Sequence, residues 1–446
     1  MTVAILSLLA LNCLWKFYVD HASRYIVSYV GVYHQPLLAI LSRKRWWEYL
    51  LPMPELNGGV WATTGILTVY GLELLLGSAP RAYYLVTSLV IATAFFVSWR
   101  VYRSLLLSSL IGLSFALTTY DYVSYALSGG VITPLVVTFA MLFAYSQYRL
   151  FLGGGNGLKW GFFFLALALY ALSYEGWLDF VVGQWILYPV VVYAFYRQRD
   201  RGRAKMAVAI LMATSLAAAA YVLVKVSTSY LTLHSPGLEA DTVFNYRGRY
   251  LLIGVEDVIA NVITLFFTAI TTYLPPQVFN FSLSSWYFGD KQIVALQNGY
   301  HPTHTQLVAY SHLFLWRFYA GIAIALFGVI YVRVIRRLVE NPTPSMLSIF
   351  TFMTASLIGS PTHAMVKMRP MHATPLLGYQ VYLAVVGVTF LMCYGVHYLN
   401  STMQSRRWLP LIVALFCLNL FFCALARPSL LSHMSVLSGL GPYPVP

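Results

Sequence analysis

The sequence predicts an all-α polytopic membrane protein with about 11–13 transmembrane helices. Hydrophobic residues make up 59% of its 446 residues, and charged residues make up only 9%. Mean hydropathy is +0.70. An ordinary soluble domain carries about 25% charged residues, so a water-soluble fold of this length could not cover its surface with so few.

The net charge of +14 does not indicate nucleic-acid binding, because the basic residues fall in short clusters between apolar runs. This distribution is typical of membrane proteins, whose cytoplasmic loops are enriched in Lys and Arg. All four cysteines lie inside apolar runs and are predicted to be small core residues. The run 2–19 has no basic segment before it and no small-residue cleavage site, so we expect a retained helix.

A helix needs about 20 largely apolar residues to span a bilayer. Three segments, 25–42, 59–78 and 257–275, are ambiguous. The first two either both cross or both lie along the outer interface, and the third either re-enters or crosses with a partner in 276–310. No fixed-period repeat and no soluble domain is visible, so we treat 1–446 as a single transmembrane domain. The runs predicted to span, in chain order, are 2–19, 82–99, 104–120, 131–147, 160–175, 177–196, 204–225, 311–334, 345–360, 373–398 and 407–426.

Basic residues mark alternate connections, which we therefore place in the cytoplasm. The connections are those with Arg100 and Arg103, Arg149 and Lys159, Arg197 to Lys205, Arg333 to Arg337, and Arg406 and Arg407. The opposite side then receives Asp121, the turn 175–179, and the loops 226–256, 276–310 and 361–372. Asp20 joins them if the N-terminus is cytoplasmic.

Only fourteen residues are acidic, and several stand at the ends of apolar runs, where a carboxylate is costly. Asp20 and Arg24 are four apart and would share a helix face. Asp121, Glu175 and Asp179 follow on the same predicted side. Each also has a structural interpretation: an ion pair that ends a helix, a turn or N-cap residue, or an acid stabilised by a neighbouring helix or a helix dipole.

A second group is basic and falls on the same predicted side, against the usual tendency. It comprises Arg247 and Arg249 in one loop and His363, Lys367 and Arg369 in another. Arg and Lys suit phosphate, Arg through its bidentate fork. The alternative is that these residues anchor lipid headgroups without a specific ligand.

With this order of features the chain resembles the GT-C superfamily of membrane glycosyltransferases, above all the bacterial O-antigen (serotype-converting) glucosyltransferase branch. In that family the first helix ends in an acidic segment followed by an Arg, as Asp20 and Arg24 do here. A long outer loop comes next, matched by 21–58. A polar turn then joins two apolar helices, matched by Ser173 to Asp179, and a late Arg-Pro segment is matched by Lys367 to Pro370.

The resemblance implies an enzyme that moves a sugar from a polyprenyl-phosphate donor to a glycan, lipid or protein acceptor on the non-cytoplasmic face. It implies a catalytic module over 1–225 with an outer first loop at 20–58. Outer loops with a re-entrant or interfacial segment then cover 226–310, and C-terminal helices cover 311–446. The location would be the inner or plasma membrane of a bacterium, or the endoplasmic reticulum of a eukaryote.

The resemblance also assigns roles. Asp20 is the expected base, because the acceptor hydroxyl must lose a proton, and Asp121 and Glu175 are supporting acids. Positive groups are expected where the leaving phosphate gains charge. A divalent cation is compatible with this chemistry, but nothing in the sequence demands one. The expected substrate-binding residues are Arg24, Asp179, Arg247, Arg249, His363, Lys367 and Arg369.

Two other functions fit the sequence. A transporter or flippase for a lipid-linked or anionic solute would have Glu175 and Asp121 lining a cavity open to both sides. A non-catalytic subunit of a larger membrane complex would have its acids in closed ion pairs, and the aromatic content of 16% would suit lateral packing. Convergence of Asp20, Asp121 and Glu175 in one outer cavity would favour the transferase.

Overall fold

The computed structural model describes a bundle of helices, and no strand occurs in the residues it describes. These residues are 79–117, 132–153, 155–173, 176–233, 331–344 and 409–425, with a few isolated helical residues between them. The helices are α1 Ala79–Tyr102, α2 Leu105–Leu117, α3 Ile132–Gly153, α4 Gly157–Ala171, α5 Trp177–Arg197, α6 Arg201–Leu233 and α7 Leu409–Leu425. Residues 331–340 are also helical.

Each of the seven helices corresponds to an apolar run predicted to span, with shifted ends. α3 extends six residues beyond the predicted 131–147, and α6 extends beyond 204–225 at both ends. The 33 residues of α6 measure about 50 Å, which exceeds the roughly 30 Å hydrocarbon core of a bilayer. The predicted spans 2–19 and 345–360, most of 311–334 and 373–398, and the ambiguous segments apart from a few residues of 59–78, lie outside the described residues.

Within the part of the chain that the structure describes, three helices are long and apolar enough to cross a membrane: Leu135–Gly153, Trp177–Arg197 and Arg201–Ser227. Three shorter apolar helices accompany them, over Ser88–Tyr102, Leu105–Ala116 and Gly157–Ala171. These features are compatible with an integral membrane protein.

Consecutive helices form three hairpins, α1 with α2, α3 with α4 and α5 with α6, each joined by two or three residues. α3 packs on α1 and also contacts α6, while α2 contacts α7 and α4 contacts α5. In the most apolar stretch of α3, 78% of the residues are buried, whereas in the most apolar stretch of α6 only 28% are buried. α3 is therefore a central helix, whereas most of α6 presents apolar side chains outward.

An aromatic cluster centred on Phe143 of α3 joins three helices. Its ring centroid lies 5.4 Å from Phe163 and 6.0 Å from Tyr170 in α4, and 5.6 Å from Phe180 in α5. All four rings are fully buried. Close-packed rings of this kind contribute about 0.5–1.5 kcal/mol per pair beyond the area they bury.

The three hairpin connections lie at one end of the bundle, which we call the basic end. Arg203 Nε, at the start of α6, donates to the Phe151 carbonyl of α3 at 3.2 Å. Gln198 Nε2, after α5, donates to the Glu340 carbonyl at 3.1 Å, which brings the segment 331–340 to the same end. This end carries Arg100, Arg103, Arg149, Lys159, Arg197, Arg199, Arg201, Arg203 and Lys205. The positions of these basic residues in the sequence predict that the connections lie on one side, and the helix ends do share one end.

Two of these connections hold an arginine in the left-handed backbone region, Arg103 with φ 54° and Arg199 with φ 62°. After α5 the Asp200 N–H donates to the Phe195 carbonyl and the Arg199 N–H donates to the Tyr196 carbonyl, both at 3.0 Å. This pair of bonds is a Schellman motif, whose left-handed residue is usually glycine.

Candidate functional site

One of the predicted site residues, Asp179, lies in the described part of the chain. The other nine lie outside it, so the structure neither brings them together nor separates them: Asp20, Arg24, Asp121, Glu175, Arg247, Arg249, His363, Lys367 and Arg369. The described flanks of Glu175 are Ser173 and Gly176, at the end of the bundle opposite the basic end. The candidate site therefore consists of Asp179 and its described neighbours.

The turn between α4 and α5 brings the chain to this opposite end. The Leu172 N–H donates to the Ala168 carbonyl at 2.9 Å, and the Ser173 hydroxyl donates to the Tyr170 carbonyl at 2.7 Å, which closes the end of α4. Gly176 then precedes α5 as its N-cap and offers no side chain to the first turn. The start of α5 is thus compact, and the positive end of the helix dipole there favours a negative group.

Asp179 supplies a negative group in the first turn of α5. Its N–H donates to the Gly176 carbonyl at 3.2 Å, and its side chain is only 9% exposed. A helix N-terminus stabilises a carboxylate by about 0.3–1 kcal/mol, which agrees with the structural interpretation given above. The helix N-terminus alone does not account for the burial of this side chain, because a buried carboxylate is costly unless it has partners inside the bundle.

α6 brings a base to the same end. Trp177 meets Tyr221 edge to face at 5.4 Å between ring centroids, and both side chains are buried. Lys225, which is half-buried, lies four residues after Tyr221 and so on the same face of α6, one turn farther from the basic end. A carboxylate on α5 and an ammonium on α6 therefore lie at the end of the bundle away from the basic end.

Sequence analysis missed Tyr221 and Lys225. A signal was present for Lys225, because it is the single charged residue between Lys205 and Glu239 in a long apolar run. An ionisable residue in such a run is by default a candidate functional residue. Tyr221 carried no comparable signal, since its contact with Trp177 depends on how two apolar helices pack.

A strip of buried polar side chains continues along the inner face of α5. Gln184 and Tyr188 follow Trp177 by 7 and 11 residues, which places all three on one side of the helix over about 16 Å. The Tyr188 hydroxyl donates to Gln147 Oε1 of α3 at 2.6 Å. We call Trp177, Gln184, Tyr188 and Gln147 the polar strip.

Several donors and acceptors of the polar strip lack partners among the residues that the structure describes. Both amide atoms of Gln184, the amide nitrogen of Gln147 and the indole nitrogen of Trp177 are buried there without a hydrogen bond. A buried polar group without a partner costs about 1–3 kcal/mol, so such groups are uncommon unless a ligand or water serves them.

Metal ligands do not gather within the described ranges. No group of three His, Cys, Asp or Glu residues occurs there, and Cys417 of α7 is a half-buried free thiol. The described residues therefore offer no preformed metal site, and the acids Asp20, Asp121 and Glu175 lie beyond them.

The chain matches no protein-family model. A search of curated proteins also finds no significant relative. The resemblance to membrane glycosyltransferases therefore depends on the sequence features described above.

Proposed function

We propose that the chain is a multi-pass membrane glycosyltransferase of the GT-C type, with about 11–13 transmembrane helices. It would move a sugar from a polyprenyl-phosphate donor to a glycan, lipid or protein acceptor at the face opposite the basic end. The observation that supports this most is the buried Asp179 on α5 together with Lys225 on α6, both at that end. A carboxylate and a cation at a bilayer surface are the two kinds of group that this transfer requires.

The reaction would proceed by displacement at the sugar's anomeric carbon. Asp20 takes the proton of the acceptor hydroxyl, and the acceptor oxygen forms the new glycosidic bond. The bond from the anomeric carbon to the phosphate oxygen breaks, and polyprenyl phosphate leaves with the electron pair. Arg369 and Lys367, with Lys225 as an additional cation, stabilise the charge on the leaving phosphate. Asp179 hydrogen-bonds sugar hydroxyls, as Asp121 and Glu175 do for the acceptor.

The outer face of α6 suits the donor's lipid tail. Met212, Leu216 and Leu223 are 56%, 65% and 69% exposed along this helix. An apolar surface of this kind lies in hydrocarbon when the helix spans a bilayer. The tail would lie along it, with the phosphate at the level of Lys225.

The test is a transfer assay with purified full-length protein and a panel of polyprenyl-phosphate sugars. Asp20→Asn should lower the rate by about 10²–10⁴-fold, as expected for loss of a general base. Asp179→Asn and Lys225→Gln should each lower kcat/KM about tenfold, since each removes a charge-assisted hydrogen bond. Asp200→Asn is the matched control, because that carboxylate pairs with Arg203 at 3.2 Å at the basic end.

The control should retain full activity. Transfer that survives Asp20→Asn unaltered would remove Asp20 from the mechanism. Absence of transfer with every donor, from protein that is monodisperse and binds donor, would reject the enzyme. Adding a chelator during the same assay measures whether a divalent cation takes part.

One observation favours a transporter or flippase as a second candidate. The polar strip runs along the buried face of α5 and leaves both Gln184 amide atoms without partners among the described residues, as a solute path would. In proteoliposomes, Gln184→Leu should then slow movement of a lipid-linked or anionic solute. If the transferase is correct, the same variant should leave sugar transfer at the membrane surface within about twofold, because Gln184 lies about 10 Å along α5 from Trp177.

A further inference from the structure

Two arginines from different helices converge on one tyrosine hydroxyl at the basic end. Arg100 Nε of α1 donates to the Tyr145 hydroxyl oxygen at 3.4 Å, and Arg149 Nη1 of α3 donates to the same atom at 3.4 Å. Because both reach one atom, the two donating nitrogens lie within roughly 7 Å of each other. We call Arg100, Arg149 and Tyr145 the arginine pair site.

This arrangement brings two positive charges together without a carboxylate from the described residues. Of the acids that the structure describes, Asp200 pairs with Arg203 at 3.2 Å and Glu340 pairs with Arg336 at 2.8 Å. Asp179 is at the other end of the bundle. Like charges this close repel, so an anion between them would stabilise the site.

The arginine pair site has N–H groups beyond the two that it gives to Tyr145. Each guanidinium carries five N–H groups in a planar fork, and each gives one of them to Tyr145. Arg100 also lies over the ring of Phe96 at 6.0 Å, which holds its plane against an apolar surface. Two forks held in this way fit the oxygens of a phosphate group, which arginine binds in bidentate fashion.

The surroundings indicate where that phosphate comes from. Phe96 and Trp99 of α1 are each 45% exposed, and Leu152 of α3 is 47% exposed. The Phe96 ring meets Tyr145 edge to face at 6.1 Å, so the apolar surface is continuous with the arginine pair site. A headgroup phosphate on the arginines would place its acyl chains along these side chains.

We propose that the arginine pair site binds the phosphate of an anionic phospholipid in the leaflet at the basic end. Basic pockets between membrane helices are suited to anionic headgroups. The site is at the opposite end from Asp179 and Lys225, so it is separate from the proposed sugar-transfer site. Its bound lipid would fix α1 against α3.

Lipid retention measured by native mass spectrometry tests the proposal. The full chain is reconstituted in phosphatidylcholine nanodiscs with or without phosphatidylglycerol and then released into detergent. The unaltered protein should retain phosphatidylglycerol in preference to phosphatidylcholine. The double variant Arg100→Gln and Arg149→Gln should bind it at least about tenfold more weakly, since charge-assisted hydrogen bonds are lost.

The matched control is the double variant Arg197→Gln and Arg201→Gln. These arginines are exposed at the same end, and the control has the same net charge as the variant Arg100→Gln and Arg149→Gln. The control should nevertheless retain the lipid as the unaltered protein does. The variant Arg100→Lys and Arg149→Lys keeps the charges but loses the forks, and an intermediate affinity is expected. Equal loss in both glutamine variants would overturn the proposal, because it would show attraction by overall charge alone.

A second arm separates a lipid from a free anion. Inorganic phosphate at millimolar concentration should not displace phosphatidylglycerol, because it lacks the acyl chains that contact Phe96 and Trp99. Displacement of the lipid, or equal protection of the protein from heat by phosphate alone, would assign the site to a soluble anion and reject the lipid. Each variant's unfolding temperature in phosphatidylcholine alone establishes that it is folded.

Discussion

Polar side chains have different surroundings at the basic end and in the interior of the bundle. At the basic end, the two ion pairs that the structure describes join residues close in sequence and are solvent-accessible: Arg203–Asp200 and Arg336–Glu340 are three and four residues apart. In the interior, the side chains of the polar strip are buried, and their partners come from other helices or are missing among the described residues. Tyr188 reaches Gln147 across 41 residues of sequence, and the Gln184 amide has no partner in the part of the chain that the structure describes.

This difference separates two reasons for keeping a polar residue. Exposed ion pairs contribute about 0.2–1 kcal/mol, so the charges of the basic end add little stability and suit membrane orientation and lipid contact. A buried polar group costs about 1–3 kcal/mol unless it is paired. Those of the polar strip are therefore more informative about function.

The largest expected effect tests whether the interior is tightly packed. Phe143→Ala should lower the free energy of unfolding by about 3–5 kcal/mol, because a buried ring in contact with three others leaves a cavity. Phe164→Ala on α4 is the matched control, since that ring is 51% exposed, and its cost should be under about 1.5 kcal/mol. Chemical unfolding in mixed micelles measures both. Equal costs would mean that the aromatic cluster is not a core, and the comparison would fail.

The hydrogen bond of the polar strip provides the next effect. Tyr188→Phe removes the hydroxyl that donates to Gln147, so a buried amide oxygen loses that donor and stability should fall by about 1–3 kcal/mol. Tyr193→Phe on the same helix is the control, because Tyr193 is 59% exposed, and it should change stability by less than about 0.5 kcal/mol. If Tyr188→Phe leaves the free energy of unfolding unchanged, water already donates a hydrogen bond to Gln147, and the interior would then resemble the basic end.

The sequence predicted the described helices well because apolar runs alternate with short polar or basic connections along it. It placed helix ends less well, because hydropathy counts apolar residues and ignores caps. α4 begins at Gly157 rather than 160, since the Asn156 side chain accepts the Lys159 N–H at 3.0 Å and caps the helix. α3 continues past Arg149, which hydropathy assigned to a loop, because its guanidinium reaches Tyr145 one turn back.

The candidate site was harder to predict. Asp179 was found because an acid between two apolar runs is visible in the sequence. Gln184 and Tyr221 were not, because α5 and α6 are apolar all round and no periodicity shows which face is buried. That face depends on neighbouring helices, such as the contact of Trp177 with Tyr221. Asp20, Asp121 and Glu175, outside the described residues, stay predictions.

The smallest expected effect tests whether charge at the basic end is kept despite a local cost. Arg199 occupies the left-handed position of the Schellman motif after α5, where a side chain costs about 1–2 kcal/mol and glycine does not. Arg199→Gly should be more stable than Arg199→Ala by about 1 kcal/mol, because both lose the charge but only glycine relieves the strain. Thermal unfolding of the two variants gives this difference.

The two variants should also share any change in membrane orientation, measured by cysteine labelling from either side, because orientation follows charge. If the alanine variant is as stable as the glycine variant, the backbone at this position is not strained and Arg199 has no local cost. If the alanine variant is less stable, Arg199 is kept despite an unfavourable backbone conformation, as expected where charge sets orientation.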